Sequence, residues 1–171
     1  MNTVKITSGD LRGRSIQTPG GQTHPMGERE RLALFNMITG LLPGARVLDA
    51  FAGSGALGIE AISRGASNVV FVEKSPKAAA IIKQNLSDLG VSAQVFTGDV
   101  VNFTDEQKFD IVLADPPYDD FKVKNIVGLT ERLKDGGILV LSHPESAPEI
   151  PGLELLKTRK YAAAHISVYV K

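Results

Sequence analysis

The chain contains no cysteine, which rules out disulfides, thiolate metal ligands and a cysteine nucleophile. It has no tryptophan either, and aromatics make up only 6% of it, so any core must be built mainly from aliphatic side chains. No charge sign predominates: 19 basic residues face 19 acidic ones, so a polyanionic partner would have to be met by a local patch. No apolar run approaches the roughly 20 residues of a membrane span. Met1-Asn2-Thr3-Val4-Lys5 lacks the basic and apolar regions of a secretory leader. These absences point to a metal-free cytoplasmic protein with no membrane role, and 171 residues suit one full-sized domain.

Within that length, residues 45 to 143 alternate short aliphatic runs with helical stretches, the pattern of a parallel sheet covered on both faces. Strands are predicted at 45–49, 68–72, 93–96, 109–113 and 137–141. Helices are predicted at about 55–64, 75–89 and 121–133, the second opened by Ser75-Pro76 as cap and first turn. Upstream, Leu32, Phe35, Ile38 and Leu42 give residues 27–41 an apolar helical face. Residues 3–18 hold two short strand-like runs around Ser8-Gly9-Asp10, and the Gly/Pro-rich stretch from Pro19 to Gly27 reads as a long loop. Two runs, 153–160 and 164–170, look like a closing antiparallel pair. The expected architecture is α/β, a doubly wound sheet preceded by an extension (1–26) to the main domain (27–171).

Val47-Leu48-Asp49-Ala50-Phe51-Ala52-Gly53-Ser54-Gly55-Ala56-Leu57-Gly58 runs from an aliphatic strand through a glycine turn into a helix. Gly53-x-Gly55-x-x-Gly58 matches the dinucleotide fingerprint, a weak signal by itself. Asp49 shifts the reading, because a carboxylate at the strand end repels a pyrophosphate and suits a cationic ligand. S-adenosylmethionine, with an ammonium, a sulfonium and no phosphate, fits such an entrance. Glu73, ending the second strand, is placed for ribose hydroxyls, and Asp99 of Gly98-Asp99-Val100 for an adenine amino group.

The most specific signal is Asp115-Pro116-Pro117-Tyr118 at the end of a buried strand. Two prolines fix φ and remove two backbone donors, leaving acceptors. An exocyclic base amine is a poor nucleophile while its lone pair is delocalised into the ring. Asp115 and the Pro116 carbonyl can each accept one N–H and turn that lone pair toward a methyl donor, and Tyr118 can stack on the base.

At these residues the chain resembles class I methyltransferases with an (Asn/Asp)-Pro-Pro-(Tyr/Phe) motif. More closely, it resembles the RsmD family of bacterial guanine-N2 methyltransferases acting on 16S ribosomal RNA. The likeness includes Gly9-Asp10-Leu11-Arg12-Gly13-Arg14, Arg29-x-Arg31-x-x-Leu34-Phe35-Asn36, the glycine loop, Glu60-Ala61-x-Ser63-Arg64-Gly65-Ala66 and Phe71-Val72-Glu73-Lys74. It implies a Rossmann-like seven-stranded sheet with a small N-terminal β-hairpin. It further implies a cofactor site of Asp49, Phe51, Ala52, Gly53, Gly55, Glu73, Lys74, Asp99, Val100 and Asp115, and a catalytic site of Asp115, Pro116, Pro117 and Tyr118. The implied partner is 16S rRNA or the small ribosomal subunit, with no obligate protein partner and a monomeric chain. Arg12, Arg14, His24, Arg29 and Arg31 are the candidate RNA contacts, with Tyr118 at the base. His24-Pro25-Met26 departs from the Arg-Pro-Thr usual in that family.

Rival readings are a DNA adenine-N6 methyltransferase, a glutamine-modifying protein methyltransferase, an NAD-binding oxidoreductase and a non-catalytic RNA-binding module. Fewer than 45 residues precede the predicted sheet, little for groove-reading elements, whereas RNA can be read by shape and a splayed-out base.

Overall fold

The structure is a computed structural model, and it describes residues 2–20, 26–162 and 164–171. Two short strands, β1 (Thr3–Lys5) and β2 (Ser15–Gln17), pair antiparallel into a hairpin. Helix α1 (Glu28–Ile38) follows and runs into a 3₁₀ turn over Thr39–Leu41. Then come β3 (Arg46–Asp49), α2 (Ala56–Ser63), β4 (Asn68–Glu73), α3 (Pro76–Leu89), β5 (Gln94–Thr97) and β6 (Phe109–Ala114). The short α4 (Val123–Val127), β7 (Leu133–His143), β8 (Glu154–Tyr161) and β9 (Ala164–Val170) complete the chain.

β3 to β9 form one seven-stranded sheet in the order β5-β4-β3-β6-β7-β9-β8, parallel except for β9, which is antiparallel to both neighbours. A parallel sheet must be covered on both faces, which explains why β4 and β6 read as nearly unbroken apolar runs. On one face Val47, Phe71, Ile111 and Val140 pack with residues of α1, α2 and α3; on the other Leu48, Val70, Val112 and Leu139 pack with Ile126 and Leu129. The doubly wound, Rossmann-like expectation is met. Ile6 and Ile16 of the hairpin belong to the first of these clusters, so the hairpin shares the core of the sheet.

The elements follow local chemistry. Ser75 caps α3 by accepting from the Ala78 amide at 3.3 Å, with Pro76 in the first turn, and the helix stops at Gly90, whose φ is 70°. α2 starts at Gly55 (φ 82°), a left-handed conformation that a side chain resists. Gly58 serves packing instead: a Cβ there would stand 2.2 Å from the Phe71 ring, so only glycine lets α2 lie this close to β4.

Two expectations are corrected. The helix expected over 121–133 is split into α4 and a 3₁₀ segment (Gly128–Arg132), because Gly128 ends the α-helical hydrogen bonding and Leu133 already turns into β7. The buried face of α1 is Arg31, Leu34, Phe35 and Ile38, and Leu32 is 40% exposed. The register shifts by one residue because the Arg31 guanidinium is drawn inward to Glu60.

Candidate active site

The sheet changes direction at β3, which has β4 on one side and β6 on the other. Such a switch point leaves a crevice beyond the carboxyl ends of the strands. A cavity of about 980 Å³ occupies it, within the range of small-molecule sites. The glycine loop forms one wall, held by the Ala50 amide donating to Leu113 (2.9 Å) and the Ala52 amide to Val72 (3.0 Å). The turn after β6 forms another. Phe51, Ala52, Gly53, Glu73, Lys74, Asp99, Val100 and Asp115 to Tyr118 all line this one space.

Glu73 accepts from the Gly53 amide at 2.7 Å and the Ser75 amide at 2.8 Å, so one carboxylate joins the glycine loop to the end of β4. Asp99 caps the following 3₁₀ turn by accepting from the Val101 amide at 3.1 Å, while its other oxygen lies 3.7 Å from Lys74 Nζ. That ion pair is solvent-exposed and contributes little.

Asp49 and Gly55 do not line the cavity. Asp49 lies fully buried behind the loop, its Oδ2 accepting from the Gly58 amide at 2.9 Å and its Oδ1 without a hydrogen-bond partner among the described residues. Burial, with smaller contributions from the charges of Asp115 and Glu73, pushes the Asp49 carboxyl up to about 7 against the Gly58 hydrogen bond. Desolvation also pushes Asp115 up to about 6, opposed by a hydrogen bond from Ser142. The carboxyls of Asp115 and Glu73 in the cavity wall thus both act on that of Asp49 behind it, an arrangement that favours a cation in the cavity.

Tyr118 is half-buried, and its hydroxyl is hydrogen-bonded to that of Ser142 at the end of β7. Ser142 thus holds the last residue of the tetrapeptide and lowers the carboxyl of the first. Sequence reading misses it, because a serine following an aliphatic run resembles any strand end. A clue was available in register, since Ala114 pairs with Leu141 and sets Ser142 beside Asp115.

The candidate RNA contacts separate. Arg12, Arg14 and Arg29 are exposed, and Arg14 donates to the Asp88 carbonyl at 3.1 Å. His24 and Pro25 lie outside the described residues. Arg31 is fully buried and lines the cavity, so it is not a surface contact for an RNA phosphate. The hub that buries it, Glu60, accepts from the amides of Thr7 (3.0 Å) and Ser8 (3.1 Å) and pairs with Arg64 at 3.2 Å, fastening the hairpin to α2. No cluster of His, Cys, Asp and Glu suited to a metal occurs among the described residues.

Known proteins resemble the chain throughout. The family profile described as "Conserved hypothetical protein 95" matches residues 4–170. A Bacillus subtilis (strain 168) protein described as a candidate rRNA methyltransferase, YlbH, is 35% identical over 183 residues, covering 98% of this chain and 99% of that relative. Ribosomal RNA small subunit methyltransferase D of Escherichia coli (strain K12) is 32% identical over 132 residues, 75% of this chain and 67% of the relative. Among solved structures, a candidate methyltransferase from Escherichia coli, yhhF, superposes with a TM-score of 0.90 at 27% identity, covering 99% of this chain and 98% of that one.

Proposed function

Because the chain belongs to the RsmD family, that of the conserved hypothetical protein 95 profile, we propose that it transfers a methyl group from S-adenosylmethionine to the exocyclic N2 of a guanine in 16S ribosomal RNA. The observation that carries this reading is the sharing of one cavity by the glycine loop, the acidic residues and Asp115 to Tyr118.

The residues present suit that cofactor. Glu73 is assigned to the ribose hydroxyls and Asp99 to the adenine amino group, and both line the cavity with Phe51, Ala52, Gly53, Lys74 and Val100. Asp49 supplies negative potential from behind the loop, with an unpaired buried oxygen. When bound, S-adenosylmethionine supplies an electrophilic methyl on a positively charged sulfur.

Asp115 and the Pro116 carbonyl accept the two hydrogens of the guanine amine and orient its lone pair, and Tyr118 stacks against the base. A separate general base is unnecessary, because the amine becomes acidic once methylated and gives its proton to Asp115 or to water. Arg12, Arg14 and Arg29, all exposed, are the residues proposed for RNA phosphates. His24 is proposed with them on the sequence alone. The protein would act in the cytoplasm as a monomer, on 16S rRNA or the small subunit assembled around it.

Labelled methyl transfer tests the reading, with isolated small ribosomal subunits, naked 16S RNA and duplex DNA offered in parallel and the product nucleosides identified. N2-methylguanosine from a ribosomal substrate is the expected product. Methyladenine from DNA alone would replace this reading with the DNA one.

A further inference from the structure

Arg31 enters the core from the first turn of α1. Its Nε lies 3.4 Å from Glu60 Oε2, its Nη2 donates to the Lys5 carbonyl, and its Nη1 is buried with no hydrogen-bond partner among the described residues. Glu60 is also shared with Arg64. Two guanidiniums and one carboxylate leave one positive charge in excess, with Arg31 and Glu60 fully buried and the Arg64 side chain 8% exposed. An uncompensated buried cation is unfavourable unless an anion reaches it.

Arg31 is at the same time part of the cavity wall. The other lysines and arginines of that wall, Lys74, Lys77 and Lys122, are solvent-exposed, and Lys74 and Lys122 already face Asp99 and Asp120. Glu30, Glu73, Asp99, Asp115, Asp119 and Asp120 supply negative charge. Among the described residues, Arg31 is thus the cation of the wall that is desolvated, and its Nη1 is a buried donor without a partner.

We infer that Arg31 is a carboxylate subsite: its Nη1 donates to the α-carboxylate at the amino-acid end of the cofactor, while the acidic residues face the ammonium and sulfonium. The inference rests on the reading that the cavity holds S-adenosylmethionine. A zwitterionic amino-acid group would be met by opposite charges on two sides, and the excess charge of the Arg31–Glu60–Arg64 cluster would be neutralised on binding.

The test is calorimetric binding of S-adenosylmethionine and of its decarboxylated analogue, which keeps the ammonium and sulfonium, to wild type, Arg31→Met and Lys77→Met. Wild type should prefer the carboxylate-bearing ligand by about 10- to 100-fold, the value of one hydrogen bond to a charged group. Arg31→Met should lose that preference while binding the decarboxylated ligand as wild type does, and Lys77→Met should keep it. Where Arg31→Met does not fold, Arg31→Gln, which retains a donor toward Glu60, takes its place. Equal binding of the two ligands by wild type, a preference that survives at Arg31, or one lost only in Lys77→Met would overturn the subsite. No binding of either ligand to wild type would instead overturn the cofactor reading on which it rests.

Discussion

The carboxyl of Asp115 acts on that of Asp49 across the boundary between β3 and β6, where Asp49 is paired in register with Leu113. Burial holds Asp49 near 7 and Asp115 near 6, so below those values both carry protons in the ligand-free protein. A cation in the cavity favours their ionised forms and displaces those protons. S-adenosylmethionine affinity should therefore rise as pH increases from about 6 to above 7, with net proton release. Calorimetry in two buffers of different ionisation enthalpy measures the release; a flat affinity with no proton exchange would contradict it.

The same burial has the opposite consequence for stability. The folded Asp49 carboxyl lies at about 7 against an ordinary 3.8, so the folded state holds a proton that the unfolded state has lost. Stability due to this group falls as pH rises from about 4 to 7, by at most about 4 kcal/mol. Asp49→Asn should melt higher than wild type at pH 8 yet bind the cofactor at least about 10-fold more weakly, since one charge is worth more than 1 kcal/mol in a desolvated site. Thermal denaturation paired with ligand titration separates the two effects.

Ser142 offers a test on catalysis. Its hydrogen bond lowers the Asp115 carboxyl, so Ser142→Ala should move the acid limb of the methyl-transfer profile to higher pH. Tyr118→Phe removes only the partner of Ser142 and should leave that limb nearer its wild-type position. Tyr118→Ala, which also removes the stacking ring, should lower kcat/KM by roughly 10- to 100-fold. Coincident profiles for Ser142→Ala and wild type would show that Ser142 does not tune Asp115.

Asp115→Ala removes one of the two acceptors proposed for the guanine amine and should reduce turnover by about 100-fold or more, a larger loss than the weakening of cofactor binding that follows from removing a carboxylate of the cavity wall. Single-turnover methyl transfer with parallel cofactor titration measures both. Full turnover in this variant would eliminate the proposed role.

Glu60→Gln should be the most damaging substitution away from the cavity. It leaves Arg31 and Arg64 without a counter-charge and weakens the acceptor for Thr7 and Ser8. Breaking a buried pair from one side typically destabilises by about 3–5 kcal/mol. Amide exchange across residues 3–17 should accelerate more than across β3 or β6, because the hairpin is fastened through this carboxylate.

Long apolar runs made the central strands legible to within a few residues, and the glycine turn and the tetrapeptide marked the two walls of the cavity. What was missed depends on partners distant in the chain. Arg31 looks like part of a charged opening turn until Glu60, from another helix, draws it inward. Ser142 acquires meaning only through the pairing of β6 with β7. Asp49 was placed at the correct strand end, but its separation from the cavity by the loop is a matter of depth, which spacing along a chain does not encode. The split after α4 was signalled by Gly128, outweighed by the apolar periodicity around it.

β8 precedes β9 in the chain yet reaches the sheet only through it, since β9 lies between β7 and β8. During synthesis β8 leaves the ribosome with nothing to pair against until β9 has followed. Until then β7 has an open edge and the apolar side chains of Ile166, Val168 and Tyr169 are missing from both faces of the core. Nascent chains that stop short of residue 164 should therefore be open-edged intermediates and ready substrates for chaperones. An enzyme acting on ribosomal RNA would thus depend on the translation of residues 164–170 to close its sheet.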